Sequence, residues 1–514
     1  MSNRISAFLR WLLSLFGSPR LPRLLSAQQL QKLHGWKPRH HTLKTVRDRH
    51  LSLWQSAAEE AVTRELGGTP RRADVLHHPF MQAVLEHVTQ AELQQPLVAS
   101  SNPQSVAEHF DHLAYASSLF FQSSLAKIKG DIAAHHSLRT EIKRRAYEDG
   151  DPMFLTVIAI YEAYYALGFR GPIYRDWKKE GGGNLDYGVI EWEVPVGSKI
   201  GILGDWGTGM DDAEKLLLDL LTHEPAAIIH LGDIYYAGTE SQARTTFLDV
   251  FDRVFTGRKR IPVFNLAGNH DYYARGTGFY LSIDEVNQSL GSAYQQPASY
   301  FCLRTTDKAW QFLGADTGVN DHQWSDDIDP SFHGPGLNDS EVEWHKDKLS
   351  SDPKNARHTV FLMHHQLFSQ HGVGSEFDTK DYLNRKLYNV LSPHFDRISA
   401  CIWGHEHDFA MYQNGLFGLQ RGRLLGCSAY EQPNSSKTPP HVEQVPTQPF
   451  KLGVLNGFCN HAYGILQLPT ADSADQNLRV SYFQYPSWGA DQDQKPPLPL
   501  PNPLLTTEEF PSSS

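Results

Sequence analysis

Two periodicities divide this chain. Up to about residue 185, apolar side chains recur every three or four positions over 52–66, 81–93, 105–127, 132–147 and 154–167, which predicts a helical region. From residue 199 the pattern changes to short unbroken apolar runs at 199–203, 227–231, 261–266, 359–363 and 398–403, as expected of strands buried on both faces. Helical stretches at 213–221 and 241–255 alternate with the first of these runs, the βαβ rhythm of a layered α/β fold. Further strands are expected within 300–315 and 420–430, an edge strand at 187–193, and a hairpin-like pair at 462–468 and 478–485. Residues 178–184, where Lys-Lys-Glu gives way to three consecutive glycines, read as a linker, and 319–336 and 432–450 as irregular loops. The proline- and serine-rich stretch 486–514 reads as a disordered tail. The chain thus divides into a helical extension or cap at 1–185, an α/β domain at 186–485 and the tail.

The residues just beyond the apolar runs bring in chemistry. The runs lead into Gly204-Asp205-Trp206-Gly207, Gly232-Asp233-Ile234-Tyr235-Tyr236, Gly268-Asn269-His270-Asp271, His364-His365 and Gly404-His405-Glu406-His407. Asp205, Asp233, Tyr236, Asn269, His364, His405 and His407 are therefore candidate metal ligands at strand ends, where open α/β sheets bind their substrates. Carboxylate, amide and imidazole donors suit hard cations, and a pair of cations about 3.5–4 Å apart needs a bridging carboxylate. Two aspartates buried at strand ends without a cation would be costly. The residues alone leave Tyr235 and Tyr236 open as the phenol donor. His365 reads as packing beside His364, and the pairs His40-His41, His77-His78 and His135-His136 as surface or satisfied histidines.

Composition narrows the alternatives. Forty-seven basic against 58 acidic residues give a net charge of -11, so no global basic field exists to capture nucleic acid, and no dedicated nucleic-acid binding is expected. Four cysteines are too few for a disulfide scaffold and fit a reducing, cytoplasmic compartment. No apolar run reaches the roughly 20 residues of a membrane span. Residues 5–16 form an amphipathic stripe through Ile5, Phe8, Leu9, Leu12, Leu13 and Phe16, which either docks on the protein, touches a membrane surface or serves as a secretory signal.

The ordered motifs resemble the calcineurin-like metallophosphoesterases, and within them the purple acid phosphatases. Most calcineurin-like enzymes open with Asp-x-His, whereas Gly207 stands here in place of that histidine. The purple acid phosphatase pattern is Gly-Asp-x-Gly followed by Gly-Asp-x-x-Tyr, and both occur here. The resemblance implies a four-layer α/β/β/α metallophosphoesterase sandwich, here with an N-terminal all-helical extension. It implies one metal held by Asp205, Tyr236, His407 and bridging Asp233, and a second held by Asp233, Asn269, His364 and His405. A phenolate favours Fe(III) at the first position, partnered by Fe(II), Zn(II) or Mn(II).

Such a pair of cations polarises a phosphoryl oxygen and turns a bound water into a hydroxide that attacks phosphorus, so the expected activity is hydrolysis of a phosphate monoester. A phosphodiesterase or nuclease would use the same metals, and a non-catalytic metal-bound scaffold is the third reading. His270, beside Asp271, and His371 are the candidates for assisting the leaving group. The identity of the phosphorylated substrate and the oligomeric state are not written in these motifs.

Overall fold

The computed structural model describes residues 49–66, 70–77, 81, 85, 172–177, 187–321, 335–373, 381–434, 438–455, 457–473, 475–488, 500 and 503–512. The amphipathic segment 5–16, the pairs His40-His41 and His135-His136, the helices expected at 105–127, 132–147 and 154–167, the linker 178–184 and most of the 81–93 and 319–336 segments lie outside the described residues.

Among the described residues two helices come first, α1 (Arg49–Leu66) and α2 (Arg72–Leu76). On α1 the buried side chains include Ser52, Leu53, Gln55, Ser56, Glu59 and Val62, one stripe at three- and four-residue spacing. The first βαβ series comprises β1 (Lys199–Leu203), α3 (Asp211–Leu221), β2 (Ala227–His230), α4, β3 (Val263–Asn265), α5 (Asn269–Tyr273) and α6 (Thr277–Val286). In α4 the segments Glu240–Gln242, Ala243–Leu248 and Asp249–Phe255 run on without a break, the middle one as π-helix. The second series comprises β4 (Phe301–Arg304), β5 (Trp310–Gly314), α7 (Asp339–Lys348), β6 (His358–Met363), α8 (Arg385–Leu391), β7 (Ile398–Trp403), β8 (Phe409–Met411) and β9 (Gly422–Leu425). A short pair, β10 (Val454–Leu455) and β11 (Phe458–Cys459), precedes β12 (His461–Gln467), β13 (Leu478–Tyr485) and β14 (Leu504–Phe510).

Strands in the order β14-β13-β12-β1-β2-β3 form one six-stranded sheet, and β4-β5-β6-β7-β9-β8 form the other. Because side chains alternate along a strand, each sheet offers two apolar faces. Ile200, Ile202, Ile229 and Phe264 of the first sheet meet Phe312, Val360, Leu362 and Ile402 of the second. Leu203, Ile228 and Val263 turn outward onto Leu216, Leu220 and Phe251 of α3 and α4. Phe361, Met363, Cys401 and Trp403 turn outward onto Trp344 of α7 and Leu387 and Leu391 of α8. This is the α/β/β/α sandwich. At about 1.5–3 kcal/mol for each buried large aliphatic or aromatic side chain, these three interfaces are its main stabilisation.

Leu53, Val62 and Val75 of α1 and α2 belong to the same outer core as Trp206, Phe247 and Tyr273, so these two helices pack on the sandwich. Two expectations change. Residues 187–193 contain one isolated bridge, Val189 with Cys302, rather than a strand. The stretch expected to be a disordered tail contributes β14, antiparallel to β13. Its Glu508 pairs in bidentate fashion with Arg423, a fully buried arginine of β9, at 2.7 Å (Nε to Oε1) and 2.6 Å (Nη2 to Oε2). Composition cannot announce a strand that pairs with a distant one and places a carboxylate on a buried arginine. Among the described residues no helix is long and apolar enough to cross a membrane.

A buried acidic pair lies beneath α7. Glu341 Oε1 accepts the Asp316 N–H (2.8 Å) and lies 3.2 Å from His345 Nε2, and Oε2 accepts the Tyr174 hydroxyl (3.1 Å). Burial pushes the Glu341 carboxyl up to about 8, and burial together with the charge of Glu341 pushes Asp316 up to about 7. The folded protein thus holds a proton on Glu341 that the unfolded chain releases at about pH 4.3, and stability falls as pH rises between the unfolded and folded values. Glu341→Gln, an isostere of the neutral carboxyl, should gain stability over the wild type by up to about 1.4 kcal/mol per pH unit between pH 5 and pH 8. Urea unfolding across that range tests this, and a difference independent of pH would contradict it.

Candidate metal centre

The candidate donors sit on the turns that leave the parallel strands. Asp205 follows β1, Asp233 and Tyr235 follow β2, Asn269 and His270 open α5 behind β3, His364 follows β6, and His405 and His407 follow β7. Asp205 (φ 55°), Asp233 (φ 75°) and His405 (φ 69°) have left-handed backbone. Such a conformation costs a residue with a side chain about 1–3 kcal/mol and persists where the surroundings fix it. Here it swings three side chains toward one point. Glycine is required where two turns cross: a Cβ on Gly268 would lie 2.1 Å from Asp233 Oδ1, and one on Gly404 would lie 2.6 Å from Asp205 Oδ2.

Two overlapping donor groups result. In the first, the Tyr235 hydroxyl donates to Asp205 Oδ1 at 2.8 Å and lies 3.0 Å from His407 Nε2. His407 Nε2 is itself 3.5 Å from Asp205 Oδ1, and Asp205 Oδ2 accepts the His405 N–H at 2.9 Å. In the second, Asn269 Oδ1 lies 3.1 Å from His364 Nε2 and 3.0 Å from His405 Nδ1, and these two nitrogens are 3.3 Å apart. Asp233 stands between the groups. Its Oδ2 is 3.1 Å from the Tyr235 hydroxyl and 3.5 Å from His364 Nε2, and its Oδ1 accepts the His270 N–H at 3.0 Å.

In the second group, hydrogen bonds on the far side of His364 and Asn269 fix which atom faces inward. His364 Nδ1 is 3.0 Å from the Leu231 carbonyl, which can only accept, so the proton sits on Nδ1 and the Nε2 lone pair is left for the cluster. Asn269 Nδ2 donates to the Tyr273 hydroxyl at 2.7 Å, which turns Oδ1 inward. The His407 ring stacks on Tyr430 with centroids 3.7 Å apart. Burial drives the His364 pKa down to about 3, so its imidazole is neutral. Burial would raise Asp205, but the hydrogen bond of His407 and, at the acid pH where the carboxyl titrates, the positive charges of His364 and His407 bring it down to about 2. Burial, then the charges of Asp205 and Asp271, push Asp233 well above the ordinary range. Two buried carboxylates, an amide oxygen and inward lone pairs form an acceptor-rich pocket that suits hard cations. A cation would reverse the direction at Asp233. Asp205, Asp233 and His364 each offer a ligand atom within 4.8 Å of the others, and so do His364, His365 and His405.

The structure brings Asp205, Asp233, Asn269, His364, His405 and His407 together and leaves Tyr236 out. The Tyr236 ring instead lies against the Arg72 guanidinium, with Cζ 4.6 Å from the ring centroid, and the neighbouring Tyr235 supplies the phenol that faces Asp205. Family spacing pointed to Tyr236, and the site that α2 provides for that ring carries no local signal in the sequence. His270 is buried beside the cluster, but its Nδ1 donates to the Tyr236 carbonyl rather than to Asp271. The Asp271 carboxylate accepts the N–H groups of Asp233 (2.9 Å) and Gly268 (2.8 Å) and so shapes the turns. His371 is exposed, with its backbone N–H on Ser369 Oγ at 2.8 Å. His365 is buried, with Nδ1 2.9 Å from Thr317 Oγ1 and its ring centroid 4.4 Å from that of His405.

Residues 198–409 match the family model described as calcineurin-like phosphoesterase. No curated protein matches the chain. Among solved structures, a dimetal phosphatase from Danio rerio is similar at 15% identity and a TM-score of 0.38, over 58% of this chain and 100% of that one. A phosphopantetheinyl hydrolase from Mycobacterium tuberculosis is similar at 13% identity and a TM-score of 0.27, over 50% of this chain and 96% of that one. The family binds two metal ions, and the donor cluster is this chain's candidate site for them. The turns that bear Asp205, Asp233, Asn269, His364, His405 and His407 thus all lie within the stretch, residues 198–409, that matches the calcineurin-like phosphoesterase family model.

Proposed function

We propose that the protein is a dinuclear metal-dependent hydrolase of phosphate monoesters, similar to the purple acid phosphatases, with iron at the first metal position. The observation that carries this reading is the Tyr235 hydroxyl, 2.8 Å from Asp205 Oδ1 and 3.0 Å from His407 Nε2, a phenol among the first group of donors. Asp205, Tyr235 and His407 would hold one ion, Asn269, His364 and His405 the other, and Asp233 would bridge them. When bound, the two ions supply electrostatic stabilisation of the phosphoryl oxygens and an acidified water.

The chain's own residues prepare that chemistry. In the free protein burial, and then the charges of Asp205 and Asp233, hold the Tyr235 phenol protonated, well above the ordinary tyrosine range. Its deprotonation is therefore coupled to arrival of a cation. Asp271 fixes the turns after β2 and β3 through two backbone N–H groups, so Asp233 and Asn269 keep their separation. His270 is held neutral by burial, with its pKa down to about 3, and its Nδ1 proton on the Tyr236 carbonyl leaves Nε2 as the atom that can take a proton and return it to a leaving oxygen. The iron assignment extends the same observation, since phenolate is a strong, hard donor.

Hydrolysis of an aryl phosphate against a bis-aryl phosphate by the metal-loaded protein tests the substrate class. The monoester should turn over at least about tenfold faster, and exclusive turnover of the diester would overturn the proposal. Loaded with ferric ion, the protein should absorb in the visible through phenolate-to-iron charge transfer. Tyr235→Phe should abolish the band and Tyr236→Phe should keep it, so the opposite outcome would return the ligand role to Tyr236. His270→Ala should retain both metals by elemental analysis while turnover falls by about 10²-fold. Unchanged turnover would remove His270 from proton transfer.

A further inference from the structure

The N-terminal helices reach the metal centre through a buried ion pair. Arg72 at the start of α2 and Glu59 on α1 meet at 2.8 Å (Nη2 to Oε2), with side chains 2% and 7% exposed. Neither charge serves only the other. Arg72 Nη1 donates to the Thr208 carbonyl, on the turn that carries Asp205, and the guanidinium lies over the ring of Tyr236, the residue next to Tyr235. Glu59 Oε2 accepts from Gln242 Nε2 at 3.5 Å, and Gln242 Oε1 accepts the N–H of Ala237 (3.0 Å) and the hydroxyl of Ser56 (3.1 Å). One guanidinium therefore grips the turn after β1 and the turn after β2, and the carboxylate opposite it is tied to the exit of the second turn.

Stability alone does not account for such a pair. Two charges lose their hydration on burial, and apolar side chains of similar volume in their place are often as stable or more so. What apolar replacements would lack is direction. Tyr235 and Tyr236 are adjacent, and the one whose ring is held on the Arg72 side cannot also face Asp205. A planar guanidinium that both stacks on Tyr236 and donates to Thr208 sets this choice, and a lysine could not do both.

We infer that Arg72 is a positioning residue of the metal centre: by holding the Tyr236 ring and the Thr208 carbonyl it turns the Tyr235 hydroxyl and the Asp205 carboxylate toward the same ion. The segment bearing α1 and α2 is then a working part of the site rather than an appendage. The inference rests on the proposed dimetal site.

Equilibrium dialysis of the full chain against zinc(II), with bound metal counted by elemental analysis, tests it. The wild type should hold two zinc ions per chain. The double replacement Arg72→Met with Glu59→Leu removes both charges together and should unfold cooperatively in urea, as the wild type does. It should bind one of the two ions at least about tenfold more weakly and leave the other unchanged, with kcat lowered more than KM is raised. Arg72→Lys, which keeps the charge and loses the fork, should fall between the two. Wild-type affinity for both ions in the folded double variant would overturn the inference. Should that variant not fold, Arg72→Lys decides by the same measurement, and wild-type affinity and kcat there would overturn it equally. Fewer than two zinc ions in the wild type would remove the dimetal reading itself.

Discussion

Acceptors crowded against one another inside the protein are the constraint on which everything else turns. Asp205 and Asp233 bring two carboxylates to one buried point, His364 brings an unprotonated nitrogen, and Asn269 brings an amide oxygen turned inward by its bond to Tyr273. Left alone, such groups repel and carry the desolvation penalty of buried charge. They become favourable together only around positive charge. The sandwich supplies the force that holds them there, because the turns are anchored to strands whose side chains pack on both faces of both sheets.

Local backbone follows from the same demand. Left-handed φ values at Asp205, Asp233 and His405 would be a poor choice in an ordinary turn, where glycine would relieve them. At these positions the side chain is needed as a donor, so the strain stays, and glycine is used beside them where Gly268 and Gly404 let one turn pass against the carboxylate of another. The outer layer takes part as well. Glu59, Arg72 and Gln242 are buried polar residues of α1, α2 and α4, and their linked hydrogen bonds run to the turns of the site.

Much of this was legible in the residue order. Strands such as β1, β2 and β7 are unbroken apolar runs, and each ends in glycine and donor residues, so both the layered fold and most of the cluster could be read from periodicity and spacing. The rest depends on contacts distant in sequence. Whether Tyr235 or Tyr236 faces Asp205 is decided by Arg72, far earlier in the chain. That His270 is oriented by a backbone carbonyl rather than by Asp271 comes from the path of the turn after β2, which spacing does not specify. That 504–510 joins a sheet shows only in its antiparallel pairing with β13, to which Glu508 adds an ion pair with Arg423 of the other sheet, against a composition that reads as disorder.

Anomalous diffraction from crystals of the metal-loaded protein tests the central claim most directly. Two peaks about 4 Å apart should flank Asp233, one among Asp205, Tyr235 and His407 and the other among Asn269, His364 and His405. A single peak, or peaks away from these side chains, would contradict the account.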